Sequence, residues 1–323
     1  ITPVRRRQLH KAIALAIATS DGSGASSYSA QLAAHYDNAG LVEQAIGAYR
    51  EAGARAVSVS AHSQAVHFYE RSLNLLAEIP DSTDRDKLEL DLRLALGSPL
   101  VAVKGYGSAD AHHLYERALS LCHRLGRSIE APILRGLGLA RLQGCQFNEC
   151  DQLAEQLISL GDADPVALTE GHYLLGVSAF WQGRLRASEA QLETALNCYD
   201  IANRNMHLEY FAQDPKAICL VRLALTQLWL GDPREADKTA RAALETAVEI
   251  DHLMTIGYVL TYSAILAMEA EDYDRLKELL DTAETQWKRL PDRYLRVILD
   301  AIRGWLDVHE GSPGGIEEIV AAV

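Results

Sequence analysis

The sequence predicts an all-α fold, a right-handed superhelix (an α-solenoid) of about seven or eight antiparallel helix pairs. Two observations predict it. Apolar residues recur three and four positions apart along almost the whole chain, which is the period of an amphipathic helix. A slot for a small residue also recurs, at spacings of 38, 48, 40 and 40 residues. The slot is filled by Gly138, Gly176, Ala224, Ala264 and Gly304.

The stretch 172–196 (HYLLGVSAFWQGRLRASEAQLETAL) contains one helix pair in full. Gly176 has no side chain, so we expect the second helix to approach the first closely at this point. Gly183 is expected to end the first helix in the left-handed conformation. The inward stripe of the second helix is predicted to be Ser188, Leu192 and Ala195.

The same pattern places a second-helix residue twelve positions after each small residue, and another four positions later. The first set is Cys150, Ser188, Ala236, Leu276 and Ile316, and the second is Ala154, Leu192, Ala240, Leu280 and Val320. One helix pair cannot bury its apolar face alone, so neighbouring pairs are expected to stack.

The organisation is predicted to be a single helical repeat domain over residues 1–323, cut from a larger protein. An N-terminal helix and linker cover 1–27, with a flexible break at 21–27 (DGSGASS). Less regular repeats cover 28–130, and regular repeats cover 131–323 with an insertion at 199–215. A break is expected inside one long helix at Gly97–Ser98–Pro99. Six prolines fall at expected helix boundaries: Pro80, Pro165, Pro215, Pro233, Pro291 and Pro313.

Composition limits the classes of partner. The net charge is −13, and the only dense basic run is Arg5–Arg6–Arg7, so binding to nucleic acid or anionic lipid is not expected. Five cysteines without a CxxC spacing indicate a reducing compartment and no zinc site. No run of eighteen apolar residues is present, and no membrane span is expected. We therefore expect a cytoplasmic protein.

The sequence contains no recognisable catalytic motif. The phosphate-binding loop GxxxxGK[ST], HExxH and GxSxG are all missing. His112 and His113 are adjacent, so on a helix they point about 100° apart and are poorly placed to bind one metal ion. We therefore expect no enzyme activity, no cofactor and no metal in this chain.

Two parts of the pattern resemble the tetratricopeptide repeat. One is Leu32–Ala33–Tyr36 followed by Ala45–Tyr49–Ala52, and the other is Leu175–Gly176 followed by Ser188–Leu192–Ala195. The period here is about 40 residues rather than the 34 of that repeat. The helices or the links between pairs must therefore be longer than in the standard repeat.

A second resemblance covers nearly the whole chain. VRRRQLHKAIALAI, LAAHYDNAGLVEQAIGAYREAGARA, YFAQDPKAICLVRLALTQLWLG and RGWLDVHEG resemble the helical sensor segment of large bacterial signalling ATPases. These proteins carry adenylate-cyclase or LuxR-type output domains and belong to the same broad class as maltose-operon regulators. The resemblance implies that the nucleotide-binding and output domains lie outside this chain.

In a repeat of this kind the first helix of each pair lines the concave side. Counting from the small-residue slot gives positions that are mostly apolar or aromatic, a composition typical of adaptable recognition surfaces. The candidate groove residues are Arg135, Tyr173, Phe180, Trp181, Trp229, Met268 and Trp305. The alternative interpretation is that these side chains only pack between successive helices.

The predicted function is that of a non-catalytic regulatory sensor module, which binds a partner in its groove and controls an attached ATPase or output domain. The expected partner is a protein or peptide segment, including the attached domains themselves, and a small effector is the second option. The 199–215 insertion could close over the groove as a lid or occupy it as an internal ligand. The alternative function is a structural scaffold that mediates self-association or complex assembly.

Overall fold

The computed structural model describes residues 2–19, 28–161, 163–287, 294–312 and 314–322. Over these residues the secondary structure consists of seventeen α-helices and one short 3₁₀ turn, with sequential antiparallel packing. The predicted all-α class is therefore confirmed. The expected break at 21–27 and the boundary prolines Pro291 and Pro313 lie outside the described residues.

The chain divides into two compact units, and unit 1 comprises residues 1–101 and 113–129. The first helices of this unit pack in sequence, α1 on α2 and α2 on α3, so that α3 contacts both α2 and α4. Leu32, Ala33, Ala45 and Tyr49 of the predicted repeat slots are buried. The helices are α1 (Pro3–Thr19), α2 (Ser29–Ala39), α3 (Val42–Ser58), α4 (His62–Leu76), most of α5 (Thr83–Lys104) and most of α6 (Ala109–Leu125).

Unit 2 comprises residues 102–112 and 130–323. Each first helix of a pair contacts its own second helix and also the next first helix, as stacked repeats require. The helices are α7 (Ala131–Gln143), α8 (Phe147–Ser159), α9 (Ala167–Trp181), α10 (Leu185–Cys198), α11 (Arg204–Phe211), α12 (Pro215–Trp229), α13 (Pro233–Ile250), α14 (Leu253–Glu269), α15 (Tyr273–Trp287), α16 (Tyr294–His309) and α17 (Gly315–Ala322).

The small-residue slot marks the close approach between helices. A Cβ atom added at Gly176 would lie 2.7 Å from Cγ of Leu192 on α10, and one at Gly138 would lie 2.7 Å from Cδ1 of Leu174 on α9. Ala224 and Ala264 are fully buried. Gly183 has φ of 72° at the end of α9, which confirms the predicted left-handed stop.

The expected break at Gly97–Ser98–Pro99 is wrong. Helix α5 is continuous from Thr83 to Lys104, with Pro99 inside it. A proline in a helix interior costs about 3 kcal/mol. Leu96, Leu100 and Val101 are all buried around it, and each such side chain contributes about 1.5–3 kcal/mol by leaving water. Burial on both sides of the proline therefore outweighs the lost backbone hydrogen bond.

The register predicted for the last helix is also wrong. Ile316 and Val320 are 58% and 72% exposed. The atoms nearest to the slot at Gly304 belong instead to Gly315 and Ile319, one residue earlier. A one-residue shift turns a side chain by about 100° around the helix axis. The link between α16 and α17 spans residues 310–314, five residues against the three that separate the two helices of each earlier pair in unit 2, and this different link changes which face of α17 is buried.

Candidate functional site

A fully buried ion pair lies between α7 and α9 of unit 2. Arg135 and Glu170 are both completely inaccessible to solvent, and Nε of Arg135 donates to Oε2 of Glu170 at 2.8 Å. His207 of α11 lies 2.8 Å from the other carboxylate oxygen, with Nδ1 facing Oε1. Arg135 also donates to the Tyr106 hydroxyl and, at 3.1 Å, to Oε1 of Gln213. A buried guanidinium requires such a set of acceptors, because desolvation is otherwise uncompensated.

The charge state of Glu170 follows from its two partners. Burial raises the pKa of this carboxyl, but the positive charge of Arg135 and the hydrogen bond from His207 lower it by more. The net effect holds the pKa of Glu170 below its usual value. Glu170 is therefore a carboxylate at neutral pH, and it compensates the charge of Arg135.

The 199–215 insertion contains a 3₁₀ turn, Ile201–Asn203, and α11. His207 and Phe211 form the buried face of α11, and the Arg135 guanidinium lies 4.9 Å from the Phe211 ring centroid. At the base of the insertion the Tyr199 hydroxyl donates to Asp214 at 2.8 Å. Burial and the Asp214 carboxylate raise the pKa of Tyr199 to about 12, so this hydroxyl keeps its proton at neutral pH. The insertion is thus held by polar contacts at its base and along its buried face.

A chain of aromatic rings and arginines runs on from the ion pair. The Arg135 guanidinium lies 5.5 Å from the Tyr173 ring centroid, and the Tyr173 hydroxyl is 3.1 Å from that of Tyr258. Tyr258 and Tyr262 of α14 are in ring contact, with centroids 4.6 Å apart. The guanidinium of Arg222, on α12, follows at 4.5 Å from the Tyr262 ring. These contacts connect residues of α7, α9, α12 and α14.

The chain of contacts ends in three further rings. The Arg222 guanidinium lies 4.9 Å from the Phe180 ring and 5.5 Å from the Trp181 ring. Phe180 is also in edge contact with Trp229, with ring centroids 6.2 Å apart. We call the whole set the aromatic–arginine strip. It comprises Arg135, Tyr173, Tyr258, Tyr262, Arg222, Phe180, Trp181 and Trp229.

The two arginines of the strip differ in how they are satisfied. Arg222 is only 1% exposed, yet neither Nη1 nor Nη2 has a hydrogen-bond partner among the described residues. No described carboxylate forms an ion pair with it either. Three ring faces around the cation provide cation–π attraction. Burial lowers the pKa of Arg222 and the nearby tyrosine side chains, Tyr262 first, raise it by more, but the Tyr262 hydroxyl makes no hydrogen bond of normal geometry with Nη1 or Nη2.

One end of the strip reaches the surface. Trp181 is 56% exposed and Trp229 is 57% exposed, although both are large apolar side chains. A surface depression of about 480 Å³ lies at the turns that directly follow these two tryptophans. Its lining includes Gly183, Leu185 and Leu230. Neighbouring exposed aromatic rings of this kind are typical of recognition sites.

The structure separates the candidate groove residues into groups. Arg135 and Tyr173 lie at the buried end of the strip, and Phe180, Trp181 and Trp229 lie at its exposed end. Met268 and Trp305 instead pack against the apolar core formed by α12 to α16. Trp305 stacks on His309 at 5.2 Å and contacts Tyr273. No ring contact joins Trp305 to the strip in the part of the chain that the structure describes.

Sequence reasoning missed Arg222, Glu170 and His207. A signal for Arg222 exists in the run ICLVRLALTQLWL, where one charged residue interrupts a helix that is apolar on nearly every side. Because the helix must be covered on nearly every side, its one charged residue is expected to be buried whichever way the helix is turned. His207 carries no comparable signal, because its partner Glu170 lies 37 residues away in sequence.

No group of three or more His, Cys, Asp or Glu side chains is arranged to hold a metal ion among the described residues. No helix of the described part of the chain is long and apolar enough to cross a membrane.

Comparison with known proteins places the chain in the class of TPR-like, all-helical proteins. The crystal structure of a Rap protein complexed with competence and sporulation factor is similar, with a TM-score of 0.53. That likeness covers 86% of this chain and 76% of the Rap chain at 10% sequence identity, so it shows the fold alone. No family model matches the chain.

A similar sequence is known from Rhizobium meliloti (strain 1021). An uncharacterized protein of that organism is 26% identical over 310 residues, which is 94% of this chain. The chain spans only 30% of the length of this relative.

Proposed function

We propose that this chain is a non-catalytic regulatory module that binds a protein or peptide segment at the exposed end of the aromatic–arginine strip. The observation that carries the proposal is the pair of half-exposed tryptophans, Trp181 and Trp229, set around Phe180 on adjacent first helices. Tryptophan is the residue most enriched among the anchors of protein interfaces. The similar Rap protein, which was crystallised with competence and sporulation factor, shares the fold on which these helices are stacked.

The module is proposed to control an attached signalling ATPase or output domain. The resemblance of four sequence stretches to the sensor segments of bacterial signalling ATPases supports this part of the proposal. The Rhizobium relative supports it as well, because it is a protein more than three times as long as the matched region. In this arrangement a segment bound at the strip would alter the stacking of α9 on α12, and the change would pass along the repeats to the attached domain.

The test is selection of binding peptides from a random peptide library, followed by affinity measurement on variants. Trp229→Ala is expected to weaken binding of the selected peptides by about 2 kcal/mol or more, as loss of an aromatic anchor does. Because more than half of the Trp229 surface is already in water, we expect a smaller cost in folding than in binding.

Val248→Ala is the matched control, because Val248 is an apolar side chain of unit 2 that is 69% exposed and outside the strip. Thermal unfolding of both variants separates lost binding from lost folding. Peptides that bind Trp229→Ala and the parent chain equally well would contradict the proposed site.

Self-association is the second candidate function, and one observation favours it. Ile316 and Val320 on α17 form an exposed apolar pair in the described part of unit 2. Val320→Asp should abolish any dimer that uses this face. Light scattering on the parent chain and on the variant measures the oligomeric state. A scaffold of this kind does not require the strip.

A further inference from the structure

The chain contains two buried arginines that can be compared directly. Arg135 and Arg222 are 0% and 1% exposed, and both lie over aromatic rings. Arg135 has a carboxylate, a hydroxyl and an amide oxygen as acceptors. Arg222 has no acceptor for Nη1 or Nη2 among the described residues. The protein therefore compensates one buried guanidinium completely and leaves the outer N–H groups of the other without partners.

An uncompensated buried cation is expensive, because it loses its hydration and receives no anion in return. Nearly all buried donors in folded proteins have an acceptor, so each exception calls for an explanation. Cation–π contacts with Phe180, Trp181 and Tyr262 offset part of the cost. They leave the four Nη hydrogens unused. These hydrogens form the planar fork that matches a carboxylate.

We propose that Arg222 is the anchor for a carboxylate of the bound segment. This inference rests on the proposed function and adds the chemistry of the ligand. The segment carries an acidic side chain or a C-terminal carboxylate next to an apolar side chain. The carboxylate accepts from Nη1 and Nη2 of Arg222, and the apolar side chain packs on Trp181 and Trp229.

The entry route is past Trp181. Its ring lies over the guanidinium at 5.5 Å, and it is 56% exposed, so its outer side is not held by packing. A rotation of this side chain opens the guanidinium to the surface beside Trp229. The incoming carboxylate replaces a cation–π contact with a charge-assisted bidentate pair, which is the stronger interaction in a desolvated site.

The first experiment uses phenylacetate and its neutral isostere phenylacetamide as probes of the full chain. Phenylacetate is expected to shift the indole N–H resonance of Trp181 in a saturable way, with assignment by Trp181→Phe. Phenylacetamide should bind roughly tenfold more weakly or worse, because it lacks the charge. Arg222→Met should abolish the shift. Arg241→Met, which removes an exposed arginine of α13 outside the strip and outside the depression beside it, should not alter it.

Equal binding of the two probes, no phenylacetate shift at high millimolar concentration, or an unchanged shift in Arg222→Met would each overturn the proposal. The stability of Arg222→Met is the second readout. Replacing an uncompensated buried charge with an apolar side chain of similar length is expected to keep or raise the melting temperature of the unliganded chain. A structural arginine would instead give a lower melting temperature with intact probe binding.

Peptides from the library selection separate this inference from the function on which it rests. In the parent chain, Glu→Gln in a selected peptide, or amidation of its C-terminus, should weaken binding roughly tenfold or more. In Arg222→Met the same peptide change should have little effect, since the two groups act as one pair. Selected peptides that are neutral, and whose binding depends on Trp229 but not on Arg222, would contradict the carboxylate anchor. They would still support the proposed function. If phenylacetate binds at Arg222 but the library yields no binding peptide, the carboxylate anchor would be supported and the proposed peptide-binding function would be contradicted.

Discussion

At the scale of single residues, Glu89 shows how a buried carboxylate is stabilised by two arginines. In unit 1, Glu89 of α5 accepts from both Arg117 and Arg93, at 2.8 and 2.9 Å. Hydrogen bonds from Arg117 and then Arg93 outweigh the opposing effect of burial. They lower the pKa of Glu89 to about 2.

This shift predicts a pH dependence of folding. The folded-state pKa of Glu89 lies below the ordinary value of 4.5, so the stabilisation is fully present above pH 4.5 and is lost as the pH falls towards 2. Its size is at most roughly 3 kcal/mol, and less because Arg117 lies partly in water. Urea unfolding of the parent chain and of Glu89→Gln across this interval measures it. The stability of Glu89→Gln should fall less steeply with decreasing pH.

Exposed Glu70→Gln is the matched control in unit 1. Its pH dependence should follow that of the parent chain. Parallel curves for Glu89→Gln and the parent would contradict the assignment, because they would show that Glu89 titrates alike in the folded and unfolded chain.

At the scale of the helix, packing depends on where a side chain is missing. Gly176→Leu is expected to destabilise unit 2, because even a single Cβ atom there would lie 2.7 Å from Leu192. Overpacking of this kind costs about 1–3 kcal/mol. Urea unfolding of the variant measures the loss.

The control substitution is Gly47→Ala in α3, where an added Cβ meets no atom within 4 Å. Alanine in that helix interior should stabilise by about 0.5–1 kcal/mol. If both glycine substitutions changed stability in the same direction, the close contact between α9 and α10 would not be the cause.

The helices and their pairing could be predicted because each depends on residues close together in sequence. Gly176 and Leu192 are sixteen positions apart, and their contact recurs with the repeat. The insertion could not be placed in this way. Gln213 reaches Arg135 across 78 residues, and nothing in the local pattern of either residue indicates the other. Counting positions therefore assigned Arg135 to an open groove, whereas Phe211 of α11 and Gln213 beyond it contact its guanidinium and contribute to its burial.

At the scale of the whole chain, each unit has its own buried side chains. Hydrogen exchange on Gly176→Leu should therefore show reduced protection in α9, α10 and their neighbours, because coupling in stacked repeats is strongest between adjacent elements. Amides of α2, α3 and α4 in unit 1 should keep the protection that they have in the parent chain. A uniform loss of protection along the chain would contradict this prediction and indicate one cooperative core.

The interleaved boundaries of the two units have a consequence for dissection of the protein. Residues 102–112 belong to unit 2 although residues 113–129 return to unit 1. A fragment that starts at residue 130, where the regular repeats begin, would retain all five slot residues but lose Tyr106 and its hydrogen bond to Arg135. It would also lose Ala102 from the apolar core of α12 to α16. Autonomous folding of unit 2 therefore calls for a starting point before residue 102, and hence for a piece of chain that carries part of unit 1 with it.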